Sequence, residues 1–157
     1  MGGRLMWVGD LAAAVGKGLF SGAAGTAAMT VSSTAEAKLR KRGASTAPAD
    51  AAGKVMGVQP RDDAGKARFS NMVHWGYGTS WGAARGVLHA FGIDGSTAAG
   101  AHFAAVWGSE QVMLPSLGVA PPLWKWGIEE VAIDAWHHVV YVVATSVAFA
   151  ALDANSS

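Results

Sequence analysis

The sequence predicts an all-α fold, an integral membrane bundle of four transmembrane helices, and three observations carry that expectation. Hydrophobic residues make up 51% of the 157 positions and charged residues only 15%, against about 25% charged in an ordinary soluble domain. Apolar stretches of roughly membrane-spanning length alternate with short polar connections. The chain also holds 21 glycines beside abundant alanine, the composition of helices whose backbones approach closely in lipid.

The first apolar stretch covers about 11–34 and stops at the basic run 36–42, EAKLRKR. Residues 38–67, rich in Ala, Gly, Pro and charge, read as a cytoplasmic loop with room for a short surface helix. A second helix is expected over about 70–91, ended by the GIDGST turn, and a third over about 98–114, closed by Pro115. Pro121 and Pro122 are placed to start a fourth over about 123–152. The whole chain, 1–157, reads as a single membrane domain. The competing reading is a soluble helical bundle, but the third and fourth stretches lack the polar stripe of a surface helix. A secretory signal at the N-terminus would have to tolerate Asp10 and Lys17 inside its apolar stretch.

Orientation follows from the basic residues. Lys38, Arg40, Lys41, Arg42, Lys54, Arg61, Lys66, Arg68 and Lys125 fall on one side, Arg4 and Lys17 on the other. The positive-inside rule then leaves both termini outside the cytoplasm. A net charge of +1 offers no basic face for nucleic acid, so none is expected as a partner. With no cysteine, disulfides, thiolate metal sites and cysteine nucleophiles are excluded.

Small residues recur every four positions. Gly18, Gly22, Thr26 and Thr30 share one face of the first helix, and Gly78, Gly82 and Gly86 one face of the second, with His74 at its foot. This pattern predicts close contact between these two helices. Counted from the expected inner ends at 1.5 Å per residue, His74, Glu110, Glu129 and Glu130 lie within about 10 Å. Arg85, His102, Asp134, His137 and His138 fall at roughly 16–22 Å, near mid-membrane. A buried charge there costs about 2.5–3.5 kcal/mol, so Arg85 is expected to pair with Asp134, flanked by His102 and His137 or His138.

Three uses of this layer compete. It is a satisfied polar network fixing helix register, a proton or ion path, or a metal site drawn from Glu130, Asp134, His138 and His102. Only one carboxylate-x-x-His pair is present, where a di-iron bundle uses two, and no cofactor is predicted. Phosphate loops, nucleophile elbows and zinc-protease motifs are absent from the sequence.

The segments GLFSGAAGTAAMT, HWGYGTSWGAARGVL, VWGSEQVMLPSLGVAPP and HHVVYVVAT resemble the YagU-like family of small bacterial inner-membrane proteins. The resemblance touches most of the chain outside 38–67 and implies a multi-pass inner-membrane protein. It transfers no catalytic residue, and Arg85 and the doubled His137–His138 depart from its pattern. The expected function is that of a non-enzymatic membrane protein, an accessory subunit or a homo-oligomer in contact with lipid. The alternative is a proton- or metal-coupled transporter.

Overall fold

A computed structural model describes residues 8–43, 45–58 and 60–155, so Arg4 lies outside the described residues. Five α-helices and no strand occur among them: α1 (Val8–Leu39), α2 (Ala47–Met56), α3 (Asp63–Ala90), α4 (Gly95–Ser116) and α5 (Ile128–Ala154). A 3₁₀ turn, Leu123–Lys125, precedes α5. The fold is all-α. Of the described helices, α5 alone is long and apolar enough by composition to cross a membrane. Gly, Ser, Thr and His dilute the apolar character of the other three long helices, because the same residues serve helix contact and polar contacts inside the bundle.

Local chemistry sets the boundaries. Asp62 caps α3, its carboxylate accepting the Gly65 N–H at 2.6 Å; α3 therefore begins seven residues before the expected 70. Pro121 and Pro122 do not open the last helix. They precede the 3₁₀ turn, and α5 starts only at Ile128, after the extended Trp126 and Gly127. Pro115 sits in the last turn of α4, which closes on Gly118 at φ 62°. The Val119 N–H then reaches back to Leu114 O at 2.9 Å, a Schellman closure that only a residue tolerating positive φ permits. The basic run continues α1 to Leu39.

α1 is the centre of the bundle, antiparallel to both α3 and α5, while α4 leans on α5 and α3 and α2 packs on α3. The α1–α3 contact is backbone on backbone. A Cβ on Gly22 would meet Thr79 O at 2.6 Å and Gly82 Cα at 2.8 Å, and Gly18 and Gly86 face Gly82 and Ala14 backbone in the same way. Gly78 receives the Thr26 side chain. Val106, Tyr141 and Val142 form the apolar core, with Met29, Trp81 and Phe103 against it.

Charges collect at the two ends of this bundle. At one end Lys17 pairs with Asp153 at 2.8 Å, and Asp94 takes both His89 at 2.8 Å and Arg85 at 3.4 Å. At the other, Arg40 binds Glu130 at 2.6 Å and also Glu36, Arg42 binds Glu36, and Glu129 stands 3.5 Å from Arg40. Residues 18–35, 69–84, 95–109 and 135–152 between the ends contain no Asp, Glu, Lys or Arg.

Candidate binding cavity

A cavity of about 1540 Å³ opens inside the bundle toward the Arg40 end. Small-molecule sites commonly enclose about 300–1,000 Å³, so this space exceeds that range. Lys38, Lys41, Arg42, Lys66 and Lys125 line its mouth, and the α2 residues Ala51, Val55 and Met56 form part of its wall. Lys54 ties α2 in place by donating to Leu117 O at 2.7 Å and Gly118 O at 3.2 Å, the free carbonyls at the C-terminus of α4.

The far end is sealed by hydrogen bonds onto α3. The Tyr141 hydroxyl donates to Gly78 O at 2.6 Å, and His102 Nε2 to Trp81 O at 3.0 Å. Tyr141, His102 and Thr145 are all at least 98% buried. These side chains separate the cavity from the Lys17 end.

Between mouth and seal the wall is polar. His74 Nε2 lies 2.8 Å from Thr30 Oγ1, whose own proton goes to Thr26 O; the hydroxyl therefore accepts and His74 donates. His137 Nδ1 meets Ser32 Oγ at 2.9 Å, while its buried Nε2 has no hydrogen-bond partner and stands 3.7 Å from Glu36. His138 faces an acceptor at each ring nitrogen: Asp134 O at 2.8 Å from Nδ1 and Glu110 Oε2 at 2.7 Å from Nε2. A carbonyl only accepts, so Nδ1 carries a proton. The short contact at Nε2 then needs a second proton, held on the ring or on Glu110. Glu110 and His138 thus share that proton across a 2.7 Å contact.

Asp134 accepts from Trp107 Nε1 at 2.7 Å, with Gln111 Nε2 at 3.5 Å. One ligand atom each from Glu110, Asp134 and His138 lies within 4.8 Å of the others, the arrangement a metal ion could occupy. Just outside this region, Arg42 holds the Glu36 carboxyl below the usual range through its hydrogen bond.

The expected mid-membrane layer is therefore divided. Arg85 does not pair with Asp134; it pairs with Asp94, with its guanidinium 4.4 Å over the Phe149 ring. Phe149 and Asp134 are fifteen residues apart on α5, about 22 Å of helix. Depths counted from 70 and 123 err in opposite directions when α3 starts at Asp63 and α5 at Ile128. His102 takes the sealing position at the level of Tyr141, leaving Asp134, His137 and His138 below it. The expected inner layer divides too. His74 and Glu110 line the cavity wall, whereas Glu129 and Glu130 stand at the rim with Arg40. Of the residues considered for a metal, Glu130 and His102 are drawn to Arg40 and Trp81, and Glu110 joins Asp134 and His138 instead.

Sequence reasoning did not single out Trp107 or Gln111, and counted Lys54 only among the orienting basic residues. Trp107, Glu110 and Gln111 lie three and four residues apart on α4, a helical spacing that puts them on one face. That face is legible, but its partner on α5 is not.

Comparison with protein-family models, with curated proteins and with solved structures returns no match.

Proposed function

We propose that this chain is a four-span protein of the bacterial inner membrane that takes a solute from the cytoplasmic side into the cavity. The proton shared by Glu110 and His138 is coupled to its passage. Embedding in lipid is supported by the charge-free middle of all four long helices. It is supported also by what faces outward there: Phe20, Val31, Met72, Trp75, Val143 and Val147 are exposed. Only 33% of the most apolar stretch of α5 is buried within the bundle, unlike the core helix of a soluble protein. Lys17 and Glu36, which bound the uncharged part of α1, are nineteen residues apart, about 28 Å, close to the ~30 Å of a bilayer core. The Lys/Arg-rich mouth then faces the cytoplasm and both ends of the chain face away from it. The YagU-like resemblance belongs to this proposal.

The single observation that carries coupling is a proton-holding pair in the wall of a cavity sealed at one end. Ionisable groups within a membrane bundle often mark proton routes. The absence of cysteine makes the test clean. Thr34→Cys and Met113→Cys, both in the cavity wall, should react with a membrane-impermeant maleimide in inside-out vesicles and not in right-side-out ones. Phe20→Cys and Val143→Cys, facing lipid, should resist in both. Equal labelling of all four would remove the membrane reading. In proteoliposomes loaded with a pH dye, Glu110→Gln and Asp134→Asn should abolish proton movement; unchanged traces in both would remove the coupling.

A second reading, an accessory subunit or homo-oligomer, is favoured by α4. Gly100, Ala104 and Val112 are exposed along one face, with Gly108 between them, and a Cβ on Gly100 or Gly108 would meet nothing within 4 Å. A face of this kind accepts another helix in lipid. Recovery of a second protein in fixed ratio, from gently solubilised membranes, would support it, and a monomer alone would count against it.

A further inference from the structure

We propose that Glu110, Asp134 and His138 form a binding site for one first-row divalent cation such as Zn²⁺, Mn²⁺ or Co²⁺. The inference rests on the reading that the cavity is a binding space, and it names the ligand that space takes at its polar wall.

The residues come from two helices. Glu110 is brought in by α4, and Asp134 and His138 lie one turn apart on α5. All three line the cavity, so an ion has a route to them. Their ligand atoms lie within 4.8 Å of one another. Around a tetrahedral ion with bonds of 2.0–2.1 Å, ligand atoms stand about 3.3 Å apart. The 2.7 Å contact between His138 and Glu110 would open by about 0.6 Å as the ion replaced the proton between them.

The supporting contacts are those a metal site uses. His138 directs Nδ1–H at the Asp134 carbonyl, which fixes the ring and leaves Nε2, once deprotonated, as the coordinating atom. His138 is 94% buried, so the ring has little freedom to turn. Trp107 fixes the Asp134 carboxylate through Oδ2. Ligand orientation is thus set by groups that do not touch the ion.

Charge balance points the same way. Two carboxylates and one imidazolium sum to one negative charge, which attracts a cation. Entry of M²⁺ with release of the shared proton leaves two carboxylates, a neutral imidazole and a dication, which sum to zero. No electron moves. One imidazole with two carboxylates and no thiolate suits Mn²⁺, Fe²⁺, Co²⁺ or Zn²⁺ rather than Cu⁺, and three donors fall short of the six to eight oxygens that Ca²⁺ takes.

The test uses full-length protein in lipid nanodiscs. Zn²⁺ titrated calorimetrically should bind at one equivalent, and Co²⁺ should give a d–d absorption band that Zn²⁺ abolishes. Glu110→Gln and His138→Gln should each weaken binding by at least about tenfold, and Trp107→Phe by a similar factor through loss of orientation. Glu130→Gln, at the rim with Arg40, should leave it unchanged. Should the cluster variants misfold, Mn²⁺ bound to wild-type protein carrying ¹⁵N-histidine still decides the matter, since pulsed EPR should show a single imidazole nitrogen. No stoichiometric binding, binding indifferent to Glu110→Gln and His138→Gln, or a spectrum without one histidine would overturn the site. Proton movement that persists in protein unable to bind any of these ions would overturn the metal site and leave the proposed function standing.

Discussion

Replacing Gly22 by alanine tests the contact on which the whole bundle is built. The new methyl would lie 2.6 Å from Thr79 O, 2.8 Å from Gly82 Cα and 2.9 Å from Gly82 N, all of them backbone atoms that cannot rotate aside. Ordinary contact begins at 3.4 Å, so α1 and α3 must part by roughly 0.8 Å, the difference between 3.4 and 2.6 Å. A gap of 0.5–1 Å forfeits about a quarter to a half of each dispersion contact along the seam, and overpacking of this kind costs about 1–3 kcal/mol. Alanine returns about 0.5–1 kcal/mol of helix preference, leaving a net loss of about 1–2 kcal/mol. Gly16→Ala is the matched control, on the same helix with nothing within 4 Å of its would-be Cβ, and should gain about 0.5–1 kcal/mol. The two variants should therefore differ by about 2 kcal/mol, roughly thirtyfold in the unfolding equilibrium. Reversible unfolding in mixed micelles with increasing SDS, followed by tryptophan fluorescence, measures that difference. A Gly22→Ala protein as stable as Gly16→Ala would refute the backbone contact between α1 and α3.

Tyr141→Phe removes the donor to Gly78 O at the seal and should cost about 1 kcal/mol, while making Thr26→Cys or Tyr77→Cys in the cavity wall label no more slowly than before; protection of those cysteines would contradict the seal. Acid should loosen both ends of the bundle. Glu36 and Asp153 are held below their usual ranges, chiefly by hydrogen bonds from Arg42 and Lys17. A lowered folded pKa contributes stability that is present above the unfolded value, about 4, and lost as pH falls through the folded one. Thermal unfolding should therefore move down below about pH 4 in the wild type, and less in Glu36→Gln; an identical pH profile would argue against the pairing. Lys54→Met frees α2 from the C-terminus of α4 and should speed proteolysis around residues 57–62, with unchanged cleavage showing that the tether is not what holds α2.

Several features of this protein are written in local chemistry and can be read along the chain. The four-residue spacing of Gly18 and Gly22 and of Gly78, Gly82 and Gly86 puts each set on one helix face, because helical geometry alone decides that. The uncharged stretches and the polar connections between them mark the long helices for the same reason. Asp62 as a cap and Gly118 as a stop are equally local, although the wish to begin helices at apolar residues hides the first.

What the tertiary structure decided is register. Arg85 and Asp134 are placed at one depth when each is counted from an assumed helix start, yet α3 begins earlier and α5 later than assumed, and Arg85 lies against Phe149, about 22 Å along α5 from Asp134. Asp94, an unremarked turn residue, becomes the partner of Arg85 because the α3–α4 connection folds back over its own helix end. Glu110 meets His138 because α4 leans on α5 at one particular offset. Each of these depends on how far one helix slides along another. That offset is set by the summed packing of entire faces, a quantity no single position in the chain contains.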